Sequence, residues 1–162
     1  AALALAAGPN GVALYWPASG LAVGLALALG REYYIPVALG TLVGTAVANM
    51  MFERDFALSF AFGVCNAGEA LAVVWLRDLL AARSYPFRGL ALVLSLFAAA
   101  AVGCAAAALP AALALAWIAG SHFPIFTLWL SWWLSDFVGI AIMTPLGLQE
   151  VCRTGIAALS RR

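Results

Sequence analysis

The chain of 162 residues has no lysine, a single histidine and three cysteines, and only 9% of it is charged. A soluble domain carries roughly a quarter charged residues, so the polar shell that would separate an apolar core from water is missing. Cysteine is too sparse for a metal ribbon: there is no CxxC and no Cys/His ligand spacing. Cys65 and Cys104 fall inside apolar runs and Cys152 beyond the last of them, which argues against a structural disulfide. His122, in "GSHFP", lacks a second ligand for a metal or a haem and reads as an interfacial histidine. No metal and no nucleic-acid partner is expected.

What is present is apolar: 66% hydrophobic residues and a mean hydropathy of +1.05. The chain therefore reads as an all-α, polytopic transmembrane helical bundle, with the lipid bilayer as its first partner. Polar punctuation sets the spans. "AALALAAG" is too short to cross a bilayer, which takes about 20 helical residues. It reads as the end of a helix whose start is missing, in keeping with the absent initiating Met. Then come Gly11 to Gly30, Pro36 to Phe52, Phe56 to Leu80, Gly89 to Ala119, and Phe123 to Leu148. The run from 89 to 119 is either one long helix kinked at Pro110 or a helix plus a re-entrant piece. About six spans result, forming an integral-membrane domain over 1–150 with a basic juxtamembrane tail over 151–162.

The arginines orient these spans. With Arg31, Arg77, Arg83, Arg88, Arg153, Arg161 and Arg162 on one side and only Arg54 on the other, the positive-inside rule puts the C-terminus in the cytoplasm.

Two acids sit at membrane depth, Glu69 and Asp136. A carboxylate there is costly unless paired, hydrated or protonated, so it faces the bundle interior and marks a functional site. Asn66 shares a helix face with Glu69. Trp132 lies four residues before Asp136, and Trp129 four before Trp133, with Ser131 and Ser135 on the same helix. The stretch "LYWPASGLAVG" holds a third polar group. Pro17 interrupts a helix and Ser19 and Gly20 can restart it. That gives either a broken span with free N–H groups inside the membrane, as in transporter sites, or a helix that begins at a Trp16–Pro17 interface. The candidate ligand-binding set is Trp16, Pro17, Ser19, Asn66, Glu69, Trp129, Trp132, Trp133 and Asp136. Two small-xxx-small pairs, Gly20 with Gly24 and Gly40 with Gly44, are expected to pack helices.

Together "WPASGLAVGLALALGREYYIPVALGTLVGTAVANM", "GVCNAGEALAVVWLRDLL" and "LWLSWWLSDFVGIAIMTPLGL" resemble the membrane-associated sensor domain of the first class, the MASE family, over residues 14 to 148. The shared elements are W-P-x-S-G (Trp16, Pro17, Ser19, Gly20), G-x-x-x-E-A (with Asn66, Glu69, Ala70), and W-W-x-x-D-x-x-G-x-x-x-x-P-L (Trp132, Trp133, Asp136, Gly139, Pro145, Leu146). The resemblance implies a sensory module of the bacterial inner membrane, placed before a diguanylate cyclase, phosphodiesterase or histidine kinase output. It implies no agreed ligand or cofactor. Ser135 replaces the usual Gly before the Asp, and the two spans and output region that usually follow the P-L element are not in this sequence. With no GG-D/E-F signature, catalytic histidine or Gly-rich nucleotide loop, no enzyme activity is expected of the chain. Two other classes fit the composition: an accessory subunit packed against other membrane chains or a second copy, and a small-solute-binding transporter component.

Overall fold

The computed structural model of the protein describes residues 12–13, 15–82 and 88–154. The described part is built from five α-helices: α1 Pro17–Leu29, α2 Tyr34–Met51, α3 Phe56–Ala82, α4 Arg88–Trp117 and α5 Ile125–Thr154, with a 3₁₀ turn at Arg31–Tyr33 before α2. Four of them, α2 to α5, are long and apolar enough to cross a membrane. Large apolar side chains such as Leu39, Val43, Phe60, Val102 and Phe126 stand exposed around the bundle, as a lipid-facing surface requires.

Against the six expected spans, the first run lies outside the described residues. The second is much shorter than its apolar run: α1 has 13 residues, a rise of about 20 Å against a hydrocarbon core of about 30 Å. Pro17 sets its start, because a ring-locked φ suits the first helical turn, while Trp16 stays extended. Gly30 sets its end at φ 100, with its N–H returning to the Ala26 carbonyl at 3.0 Å. The long run after residue 88 resolves into a single helix of 30 residues that carries Pro110 within it, with no re-entrant piece. The last helix runs through the expected boundary at 150 as far as Thr154.

Connections between α2, α3, α4 and α5 are short, and each helix packs on the next, so the four alternate in direction. At the α2–α3 turn Glu53 takes a left-handed φ of 60, and Asp55 caps α3 by accepting the Ala57 N–H at 2.8 Å. The half-length α1 lies parallel to α5 and also touches α2 and α3, wedged where those helices would otherwise leave a gap.

Glycines let the backbones meet. A Cβ on Gly20 would strike the Gly139 carbonyl, one on Gly63 the Leu42 carbonyl, and one on Gly103 the Val73 side chain. The two expected packing pairs part company here. Gly20 and Gly24 do pack, both against α5, though not equally tightly. A Cβ on Gly24 would lie 3.2 Å from the Thr144 carbonyl oxygen and 3.7 Å from the Gly147 Cα. Gly24 is therefore a close contact rather than a collision, and it takes no part in the ligand-binding set, since its neighbours are α5 backbone. Gly40 and Gly44 have nothing within 4 Å, so their stripe packs on no other part of the described chain.

Two apolar clusters form the core. One gathers Val23, Ala26, Val73, Val74, Ala100 and Ile140; the other gathers Leu58, Phe62, Ala111, Leu115, Leu128 and Trp132. Along α3 and α5 the polar residues Asn66, Glu69, Ser135 and Asp136 fall between them.

Candidate functional site

The site follows from the length of α1. Because Trp16 stays extended, its N–H reaches the Ser135 carbonyl at 3.4 Å. This fixes the start of α1 beside the middle of α5, so the helix begins inside the bundle rather than at its rim. Below that point α1 fills the space between α2, α3 and α5, where the Thr144 hydroxyl donates to the Gly20 carbonyl at 3.0 Å. Above it no helix of the described residues takes that place, and a cavity of about 180 Å³ opens there. Its walls come from residues 12, 13 and 16, from Thr45, Ala48 and Asn49 of α2, Phe62 and Asn66 of α3, and Trp132, Ser135 and Asp136 of α5.

The floor is polar. Asp136 is 2% exposed and Glu69, directly behind it, 1%. The Glu69 carboxyl faces Asp136, the Ser19 hydroxyl and the Cys104 thiol; Asp136 faces Glu69, Ser19 and the Trp132 indole. None of these approaches closes into a hydrogen bond for either oxygen of Glu69, for Oδ2 of Asp136, for Ser19 Oγ or for Trp132 Nε1. The same holds for Trp16 Nε1, Asn66 Oδ1 and Ser135 Oγ. The Asn66 amide does donate to Thr45 Oγ1 at 3.3 Å. Leaving a buried polar group unpaired costs on the order of 1–3 kcal/mol, so a cluster of this size is an expensive arrangement for a purely structural core.

The mouth is cationic and aromatic. Arg54, from the α2–α3 turn, places its guanidinium carbon 5.3 Å from the centroid of Phe62, and Phe62 meets Trp132 at 4.6 Å between centroids. Partial burial lowers the Arg54 pKa from its ordinary value, and the side chain remains a cation.

Of the nine residues the sequence nominated, Trp16, Asn66, Trp132 and Asp136 line this cavity, and Ser19 and Glu69 stand behind its floor. Pro17 serves the start of α1. Trp129 and Trp133 go elsewhere: their indoles stack on each other at 5.3 Å and donate to the Ala105 and Ala101 carbonyls of α4, each at 2.9 Å. They join α5 to α4. Sequence reasoning did not nominate Thr45, Phe62 or Arg54 for the site. Arg54 carried a signal nonetheless, as the one arginine set apart from the other seven, and Asn49 continued the polar face of α2.

In comparison with known proteins, the family model described as MASE1 aligns with residues 1–149. No curated protein and no solved structure matches the chain.

Proposed function

The chain belongs to the MASE1 family of membrane-associated sensor domains, and from that membership we propose that its cavity is the sensory site, with Asp136 and Glu69 at its centre. The observation that carries this reading is a pair of buried acids, Asp136 in the floor and Glu69 behind it, with three of their four carboxyl oxygens outside any closed hydrogen bond, in a cavity also lined by Trp16, Trp132 and Asn66. In an accessory subunit such acids would face a neighbouring chain; here they are turned inward.

The proposed orientation puts the Arg54 end outside the cytoplasmic membrane of a bacterium and the Arg31/Asp78 end inside, with α5 emerging into the cytoplasm. A ligand at the floor then meets α5 at Ser135 and Asp136, and α5 continues unbroken to Thr154. It also meets the start of α1, which is held to α5 by the Trp16 and Thr144 hydrogen bonds. Occupancy shifts α5 against α1, and the shift reaches a cytoplasmic output, either a cyclic di-GMP enzyme or a histidine kinase. The test is output in the intact protein in its own membrane, with Asp136→Asn and Glu69→Gln introduced singly. Each should change output by several-fold while membrane insertion stays normal. Wild-type output from both, at wild-type protein levels, would sink the assignment.

A further inference from the structure

Resting on the reading of this cavity as the sensory site, we infer that its occupant is a small organic ammonium ion carrying a hydroxyl or similar acceptor group. The floor presents three buried oxygens without partners, Asp136 Oδ2, Asn66 Oδ1 and Ser135 Oγ, at residues no more than 3% exposed. Two of the three can only accept. Behind them Glu69 adds a second carboxyl with both oxygens unpartnered. An ammonium group has three donors and one positive charge, and so answers the hydrogen-bond deficit and pairs with a carboxylate at the Asp136–Glu69 couple.

Other ligand classes fit less well. An anion would be pressed against two carboxyls in an interior where charge interactions are poorly screened. A neutral polyol satisfies the acceptors and leaves the charge. A metal ion needs a closed shell of oxygen ligands, and the described residues contain no group of three or more His, Cys, Asp or Glu that could hold one. The walls add a positive argument: Trp16 and Trp132 line the space, and aromatic side chains suit both an organic cation and its alkyl stem.

The two indole N–H groups of Trp16 and Trp132, buried and unpartnered, supply the complementary donors for an acceptor on the ligand. Size sets the limit. A cavity of about 180 Å³ is close to the roughly 150 Å³ that holds one benzene molecule in a protein interior, so the occupant is a molecule of few heavy atoms. Arg54 also lines the cavity, at its mouth beside Phe62, so the ammonium end of the ligand is assigned to the acids and the acceptor end to the side of Arg54.

Three probes of matched size separate the classes: ethanolamine, ethylene glycol and glycolate. Each is titrated into the purified protein in lipid nanodiscs, read by tryptophan fluorescence and confirmed by calorimetry. Ethanolamine should give a saturable response, and the other two none at the same concentrations. Asp136→Asn should weaken ethanolamine at least tenfold and Asn66→Leu about three- to tenfold, the second variant serving if the first does not fold. No saturable response to ethanolamine would overturn the ammonium assignment, as would equal affinity for ethylene glycol or unchanged affinity in a folded Asp136→Asn protein. Those results leave the cavity's sensory role standing, because that role falls only on unchanged output in the acid variants described above.

Discussion

Asp78 and Asp136 are the same residue in two opposite situations. Asp78, near the end of α3, receives the Arg31 guanidinium at 2.8 Å, the Tyr34 hydroxyl at 3.0 Å and Arg77 at 3.1 Å. Asp136, in mid-bundle and more deeply buried, faces another acid, and its Oδ2 closes no hydrogen bond although the Ser19 hydroxyl and the Trp132 indole lie nearby. The tryptophans divide the same way, with Trp129 and Trp133 bonded to α4 carbonyls while Trp16 and Trp132 have free indole N–H groups beside the cavity. At the Asp78 end the carboxylate is fully supplied with donors, and Arg77 Nε is the one buried group left unpartnered there among the described residues. The other unsatisfied groups are concentrated in one layer, and a layer that costs stability without repaying it in packing is explained by what it binds.

That layer depends on the α1–α5 crossing, and the heaviest damage is expected there. Gly139→Val puts a branched side chain against the Trp16 carbonyl and the ring nitrogen of Pro17. Separating the two backbones should cost about 3 kcal/mol or more, seen as a large loss of thermal stability in detergent, with the Trp16 and Thr144 links lost as well. A folded, normally signalling Gly139→Val protein would mean that the start of α1 does not hold the cavity floor.

Next come the two aspartates themselves, where the signs differ. Asp78→Asn removes the charge shared by two arginines and should destabilise by about 1 kcal/mol, a modest figure because Arg31 is largely exposed. Output should stay near wild type. Asp136→Asn replaces an unpaired buried carboxyl with a neutral amide of the same shape, so stability should be unchanged or higher by up to about 2 kcal/mol while output changes. Equal losses in the two variants, measured by thermal unfolding, would erase the distinction drawn between them.

The depth of the acids was legible in the sequence because run length and hydropathy place Glu69 and Asp136 far from any polar turn, and few structures tolerate that without a reason. Which tryptophan belonged to them was not legible. Trp129, Trp132 and Trp133 spread around α5, and only the register of α4 decides that the Ala101 and Ala105 carbonyls lie under two of them. The start of α1 was open between the interface and the interior, since Trp16–Pro17 suits both; the Ser135 carbonyl beside Trp16 settles it in the interior. Arg54, Thr45 and Phe62 join the site only through the pairing of α2 and α3 across a tight turn, a relation that local spacing does not encode.

A smaller effect separates the tryptophans. Trp133→Phe loses the bond to Ala101 and should cost about 1 kcal/mol with output kept. Trp132→Phe removes an indole N–H that has no partner, so the loss should be smaller, while the response to any ligand of the cavity should shift. Thermal unfolding and output, measured on both variants together, test the pair.

The slightest change is expected on α2, and its direction is informative. Gly40 and Gly44 face open space beside the exposed Leu39 and Val43, although their spacing is that of a helix-packing pair. If lipid is all they meet, Gly40→Ala and Gly44→Ala should each stabilise the protein by somewhat under 1 kcal/mol, because alanine is the better helix former and no neighbour resists the methyl group. If a second helix from another chain sits there, the same methyl group holds the backbones apart, and the two substitutions should weaken self-association or partner binding in detergent while leaving the isolated chain's thermal stability unchanged or raised. Measuring unfolding and oligomeric state on the same samples therefore distinguishes a lipid-facing stripe from a contact surface, and neither result depends on the ligand of the cavity.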